Sequence, residues 1–314
     1  KDNLQIGDEI KFMQISNMTY PFLKNNIGKI GLKSTMDINN ENENMKISYK
    51  KSTLSKYGPI FDLKNIGTHS TKIESIINII KKSVGIVFIY SQFVYGGIIP
   101  LMLALEQEGY GKYNSDGILN YDKKNKPISH TGERLTSSNK SKFKQAKYIV
   151  LSANNDISKN NEDEILATKS ISNMNGENIK IIIGSVVASE GIDFKNIRTM
   201  HIMDSWHHLN RLEQIIGRGI RYCSHINLPE EERNVLVYNH VLETHDNKNE
   251  TIDMHIYKNA EQKSIQIGII ETIMKENSVD CNLFKDMNVS KSLKEKKYLY
   301  PVYNEDGTRK IYID

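Results

Sequence analysis

Four short apolar runs limit what this chain can fold into. GIVFIYS (Gly85–Ser91), KYIVLS (Lys147–Ser152), IKIIIGS (Ile179–Ser185) and RTMHIMD (Arg198–Asp204) are each about one strand long and rich in β-branched or aromatic residues. The first three do not alternate apolar with polar, as a strand buried on one face would, so they are expected to be covered on both faces. RNVLVYNHV (Arg233–Val241) adds a fifth strand. Helical spacing lies between them. STKIESIINIIKKS (Ser70–Ser83) puts Ile73, Ile76, Ile77 and Ile80 on one face, GGIIPLMLALEQEGY (Gly96–Tyr110) follows the first strand, and RLEQIIGRGIRY (Arg211–Tyr222) follows the fourth. Buried strands alternating with helices predict an α/β fold, a parallel sheet flanked by helices.

The rest of the chain divides around this block. Before about Asn65 the pattern is hard to read, and INNENENMK (Ile38–Lys46) is expected to be a polar surface loop. From Thr251 it turns helical, after a polar stretch at Asp246–Glu250. Three parts are expected: a partly irregular lead-in over 1–68, the α/β lobe over 69–245, and a smaller, mostly helical extension over 246–314. With 314 residues, 38% hydrophobic and 25% charged, the chain has enough material for one large or two medium domains. A net charge of +4 permits nucleic-acid binding without arguing for it. Cys223 and Cys281 lack metal-ligand spacing and fit small core or half-buried positions in an intracellular protein. No apolar run approaches the ~18 residues of a membrane span, and there is no signal peptide. Because the chain opens on Lys1, it is expected to be a piece of something longer.

Arginine usage points to the site. Of 42 Lys and Arg residues only seven are arginine, and four of those fall between Arg198 and Arg221. Where a chain that otherwise uses lysine turns to arginine, the planar fork of donors is wanted, most often for phosphate. In parallel sheets ligands sit at the carboxyl ends of the strands. Three segments are expected there: YSQF (Tyr90–Phe93), GSVVASEGIDF (Gly184–Phe194) and DSWHHLN (Asp204–Asn210), which leads into the arginine helix. Each offers hydroxyls, amides or carboxylates.

These segments carry a resemblance. QIIGRGIR (Gln214–Arg221) resembles the last motif of superfamily 2 helicases, Gln/His-x-x-Gly-Arg-x-x-Arg. SVVASEGID (Ser185–Asp193) resembles the motif before it, and VFIYSQF (Val87–Phe93) the first motif of the second RecA-like lobe. The longer string through Val235 resembles helicase-like ATPases of nucleocytoplasmic large DNA viruses, the group of the poxvirus early transcription factor small subunit and nucleoside triphosphate phosphohydrolase I. The resemblance runs from about Lys72 to Val241 and implies a RecA-like helicase C-terminal lobe that acts with a first lobe in cis. It implies that Arg218 and Arg221 reach across to the transferred phosphoryl group, with Gln214 as a supporting polar contact. Three-residue spacing would put both arginines on one helix face, and Gly217 would let that face come close to its partner. Gly191 and Asp193 would serve the nucleotide; Ser91, Gln92, Ser185 and Ser189 would contact a nucleic-acid strand. The implied cofactor is ATP with Mg²⁺, the ion being held by the first lobe.

The chain lacks the phosphate-cradling Gly-x-x-x-x-Gly-Lys-Ser/Thr. DEIL (Asp163–Leu166) imitates the Mg²⁺-binding motif, but the polar SKNNE before it cannot be a buried strand, so a loop is expected. The reading is therefore the second half of a motor that hydrolyses no ATP alone, acts on single- or double-stranded nucleic acid, and works inside an infected cell, in a viral factory or virion, beside viral transcription or nuclease proteins. The alternative is a non-catalytic nucleic-acid-binding or scaffold module of a transcription or defence complex. Seven of nine histidines lie between His201 and His255 with no zinc-like spacing and are expected at the surface, and Trp206 is expected to pack under the arginine helix.

Overall fold

The computed structural model describes residues 6–21, 27–41, 44–158, 161–186, 192–244, 249–279, 299–303 and 309–313. The chain forms two compact units, residues 1–258 and 259–314. The first opens with helices α1 (Ile6–Asn17) and α2 (Gly28–Thr35), an antiparallel hairpin of β1 (Met36–Glu41) and β2 (Asn44–Tyr49), and helices α3 (Lys51–Tyr57) and α4 (Leu63–Ile66). The expected loop at Ile38–Lys46 is thus a hairpin. Its asparagines and glutamates mask an inward alternation in which Met36, Met45, Ile47 and Tyr49 are buried.

Helix α5 (Thr71–Lys82) then leads into β3 (Ile86–Tyr90), a π-helical turn at Val94–Ile98, α6 (Ile99–Glu108) and the two-residue β4 (Gly111–Lys112). Next come β5 (Lys147–Leu151), α7 (Asn161–Lys169), β6 (Ile181–Gly184), β7 (Ile197–Ile202), α8 (Leu209–Gly219) and β8 (Leu236–Asn239). The six strands β3–β8 make one parallel sheet in the order β4-β5-β6-β3-β7-β8. This is the α/β fold that the alternation of strands and helices predicts, a parallel sheet flanked by helices. All five residues of β3 are buried because both of its faces are covered. Val87 and Ile89 face a core shared with Ile73, Ile77 and Leu101, while Phe88 and Tyr90 face one shared with Phe194, Met200, Leu212 and Ile215.

Helix α5 forms where the spacing predicts. Ser70 caps it through a bond from the Ile73 amide (3.0 Å), and Ile73, Ile76, Ile77 and Ile80 are buried. Met18, Leu32, Met36, Ile47, Ile60 and Phe61 join the same core, so the segment before α5 is built onto the sheet. DEIL lies within helix α7 rather than a loop: its acidic start, Glu162 to Glu164, suits a helix N-terminus.

Helix α9 (Ile252–Glu276) begins in the first unit and continues into the second, which also contains an antiparallel pair, β9 (Leu299–Tyr303) and β10 (Arg309–Ile313). That hairpin was not expected in a mostly helical extension. Cys281 lies outside the described residues.

Candidate nucleotide and nucleic-acid interface

The carboxyl ends of β3, β6 and β7 bring Ser91, Gln92, Ser185 and Asp204 to one edge of the sheet, whereas Asp193 and Phe194, expected there too, lie by the end of α8 on the approach to the start of β7. β6 ends at Gly184, and Ser185 is buried with its amide donating to the Leu151 carbonyl (2.9 Å). Val186 is exposed. Ser189 and Gly191 lie outside the described residues.

The chain resumes at Ile192 and runs along the end of α8. Phe194 N donates to the Arg218 carbonyl (3.3 Å) and Asn196 N to that of Ser224 (3.0 Å). Asp193 accepts a charge-assisted bond from Arg221 Nη1, and Arg221 Nε bonds the Gly217 carbonyl (3.1 Å). Two motifs separated by 28 residues of sequence therefore meet as an ion pair, with both side chains roughly half exposed.

The helix itself corrects one expectation. α8 ends at Gly219, where Ile220 leaves the helical region, so Arg221 sits on the following turn rather than on the helix face of Arg218. That turn is braced from beneath. Ser224 Oγ accepts from Arg221 N (3.2 Å), and buried His225 bonds Ser224 Oγ (2.7 Å) and the Ile197 carbonyl (2.6 Å). Tyr222 and Cys223 are left exposed, Cys223 with a φ of 58°. Cys223 is thus neither core nor half-buried. Gln214 is exposed on α8 and Arg218 is partly exposed.

Gly217 and Gly219 play different parts. A Cβ on Gly217 would meet nothing within 4 Å, so this glycine faces open space. A Cβ on Gly219 would come to 2.8 Å of Met200 Sδ, so Gly219 lets α8 lie against β7. Only Gly217 was singled out in the sequence.

The β3 loop is held by the first residue of DSWHHLN, a segment expected at this edge with no role assigned to that residue. Asp204, at the end of β7, is fully buried and accepts from Ser91 Oγ (2.9 Å), from Gln92 N (2.6 Å) and from Asn17 Nδ2. Burial pushes its carboxyl above the usual range, against the pull of these bonds and of nearby Lys72. Ser91 is wholly buried, so in this arrangement its hydroxyl orders the loop, while Gln92 is half-buried with Nε2 near the Ser205 carbonyl (3.5 Å).

Behind Asp204 stands Lys72. Its Nζ pairs with Asp253 Oδ2 at 2.7 Å and donates to Ser16 Oγ, Asn17 Oδ1 and the Met203 carbonyl, each at 3.1 Å. Asp253 also accepts from Ser205 Oγ (3.2 Å) and Leu242 N (3.1 Å). Helices α1, α5 and α9 and the ends of β3, β7 and β8 are thereby joined by one buried polar cluster. A lysine on an apolar helix face was the only signal for it in the sequence.

Trp206 packs against the core with Arg211 over its ring (5.6 Å to the centroid), as expected. The histidines differ from expectation. His201, His225 and His240 are buried, and His201 Nδ1 lies 2.9 Å from His240 Nε2. Burial and the mutual presence of the pair depress His201; burial, then nearby Lys72, depresses His240. Among the described residues no group of three His, Cys, Asp or Glu side chains could hold a metal.

Comparison with known proteins gives the chain's likenesses. Residues 127–223 match the helicase conserved C-terminal domain. The chain carries a helicase C-terminal domain. It is 30% identical over 289 residues to a protein of Acanthamoeba polyphaga mimivirus named "Putative ATP-dependent RNA helicase", covering 90% of this chain and 44% of that one. It is 31% identical over 255 residues to a "Putative helicase" of Invertebrate iridescent virus 3, covering 78% and 22% respectively. Nucleoside triphosphatase I of Amsacta moorei entomopoxvirus matches at 38% over 106 residues, 34% of this chain and 16% of that one. The chain is thus related to helicases and nucleoside triphosphatases of large DNA viruses, and spans less than half the length of these relatives. Among the described residues no helix is long and apolar enough to cross a membrane.

Proposed function

We propose that this helicase domain is the arginine-bearing half of an ATP-dependent nucleic-acid helicase or translocase. The observation that carries the proposal is the Asp193–Arg221 pair beside the partly exposed Arg218, on the edge where the end of α8 meets the approach to β7. Guanidinium groups held there suit phosphoryl oxygens. In this reading ATP binds between this edge and a first lobe that supplies the phosphate cradle and holds Mg²⁺. Arg218 neutralises charge as it develops on the phosphoryl group, Arg221 is aimed by Asp193, and Gln214 supports them. Gly217 keeps the approach to the first lobe open, and Gly191 serves the nucleotide together with Asp193. Gln92, Ser185 and Ser189 follow the strand backbone, with Ser91 setting the β3 loop through Asp204. Alone, the domain hydrolyses no ATP. The names of its relatives, ATP-dependent helicase and nucleoside triphosphatase, support this reading.

The test is Arg218→Lys in a protein that contains both lobes. Lysine keeps the charge and loses the fork, so kcat should fall toward that of Arg218→Ala while KM changes little. A finger contribution on the order of 10³-fold corresponds to about 4 kcal/mol. If Arg218→Lys retains more than about a third of the parent kcat, a difference of under ~1 kcal/mol, the assignment fails.

A further inference from the structure

A second charged surface is built by other elements. The connection from β4 to β5 contains DKKNKPISHTGERLTSSNKSKFKQA (Asp122–Ala146), with seven basic residues and two acidic ones, roughly twice the chain's average density of positive charge. Lys123, Lys124, Lys126, Lys140, Lys142 and Lys144 are all exposed, and none is in an ion pair among the described residues. Helix C-termini nearby attract cations, but at the end of α6 Arg134 already answers that need by donating to the Glu108 carbonyl, and Lys81 pairs with the buried Glu108 carboxylate at 2.5 Å.

This connection has little regular structure, yet it is fastened. Arg134 reaches the carboxylate and carbonyl of Glu108 and donates to the Lys126 carbonyl at 2.8 Å. Asn125 N bonds the Gln107 carbonyl (2.9 Å), Ile128 is buried, and Ala146 N bonds the Ile128 carbonyl (2.8 Å). Gly132, with φ 87°, passes so close to α5 that a Cβ there would lie 2.5 Å from the Lys81 carbonyl. The turn before the last lysines is closed by Asn139, which accepts from Thr136 N (2.8 Å) and donates to the Arg134 carbonyl (2.9 Å). All these anchors are the ends of α5 and α6 and the starts of β4 and β5. The lysines therefore stand at the amino edge of the sheet, opposite the carboxyl edge that holds Ser91, Gln92 and Ser185.

We infer that the β4–β5 connection is a second nucleic-acid-binding surface, which holds the phosphate backbone of a duplex through Lys140, Lys142 and Lys144 together with Lys123, Lys124 and Lys126. Lysines on a fixed backbone meet phosphates at little ordering cost, and nothing in the segment reads bases, so binding is sequence-independent. A strand moving across the carboxyl edge would thus be joined to a duplex held at the amino edge. The inference extends the proposed function, but its residues are separate and so is its test.

The experiment measures binding of the purified chain to a fluorescent 30-base-pair DNA duplex of arbitrary sequence over a range of salt. The variants are the triple Lys140→Gln, Lys142→Gln, Lys144→Gln and the double Gln92→Ala, Ser185→Ala. The lysines are exposed, so the triple variant should melt as the parent does. Three fewer phosphate contacts should weaken binding about tenfold at 0.1 M salt and flatten the slope of log affinity against log salt by up to about 2.7. Unchanged affinity and slope in the triple variant overturn the inference; if the double variant alone loses binding, the carboxyl-edge reading survives without it. Loss in the triple variant alone supports the inference and removes the strand-contact role from Gln92 and Ser185. Polyglutamate of matched charge is the competitor. If it binds the parent as tightly as the duplex, through the same lysines, the surface fits an acidic protein and the nucleic-acid assignment is overturned.

Discussion

Replacing Lys72 by methionine tests the buried cluster behind the β3 loop. The substitution keeps most of the aliphatic stem and removes one charge from a site where Lys72 and Asp253 are each almost fully enclosed. It breaks the 2.7 Å pair with Asp253 and three further donations at 3.1 Å. Asp253 then keeps only neutral donors, Ser205 Oγ, Leu242 N and Ser16 Oγ. Removing one partner of such a pair costs about 3–5 kcal/mol, because the remaining charge has no counter-charge and little water. At about 2–4 °C per kcal/mol for a large domain, the melting temperature should drop by on the order of 10 °C. Replacing both partners, Lys72→Met with Asp253→Leu, should recover only part of this, because Asp204 remains buried and also loses the field of Lys72. Urea unfolding of the three proteins at neutral pH measures each cost. A Lys72→Met chain within about 1 kcal/mol of the parent would show that the cluster is not a charged network, and the reasoning from burial would fail.

Glu164 gives a pH test. Burial raises its carboxyl to about 7 from an ordinary 4.5, so its contribution to stability is fully present below 4.5 and is lost as pH rises through about 7. Glu164→Gln should therefore gain stability relative to the parent above pH 7, by at most about 3 kcal/mol, with no gain at pH 4; equal gains at both pH values would remove the titration as the cause. The two glycines of α8 should separate packing from function. Gly219→Ala should cost about 1–3 kcal/mol by crowding Met200, whereas Gly217→Ala should gain up to about 1 kcal/mol as a helix residue in open space and impair turnover only in the two-lobed protein. Melting curves and kinetics on both variants check this, and a destabilised Gly217→Ala chain would contradict it.

The central strands were legible because both faces of each are covered, which leaves an unbroken apolar run such as Ile181–Gly184. The end of the sheet was not, since β4 has two residues, too few to show any period. The β1–β2 hairpin was hidden by polar residues on its outward positions, and α7 by an acidic start that resembles a loop. Arg218 and Asp193 could be picked out as chemistry, but not the register that ends α8 at Gly219 and puts Arg221 on a turn. Polar groups that act by being buried are harder to find. Asp204, Lys72 and the His201–His240 pair look like surface residues until the fold encloses them, because residue type alone does not say what three-dimensional neighbours will be.

The strand order sets terms for how this chain is made. β3, in the middle of the sheet, is flanked by β6 and β7, so residues 86–90 pair with residues 181–184 and 197–202. During synthesis the most apolar strand emerges with neither neighbour available and waits for roughly a hundred residues, several seconds at ~5–20 residues per second. Pairings this distant also make folding slow once the chain is complete. A product that stops between β5 and β7 carries an open, flat, β-branched edge, the kind that recruits other chains. Truncations of this protein should accordingly be placed after residue 258, where the first compact unit ends, and not inside the sheet.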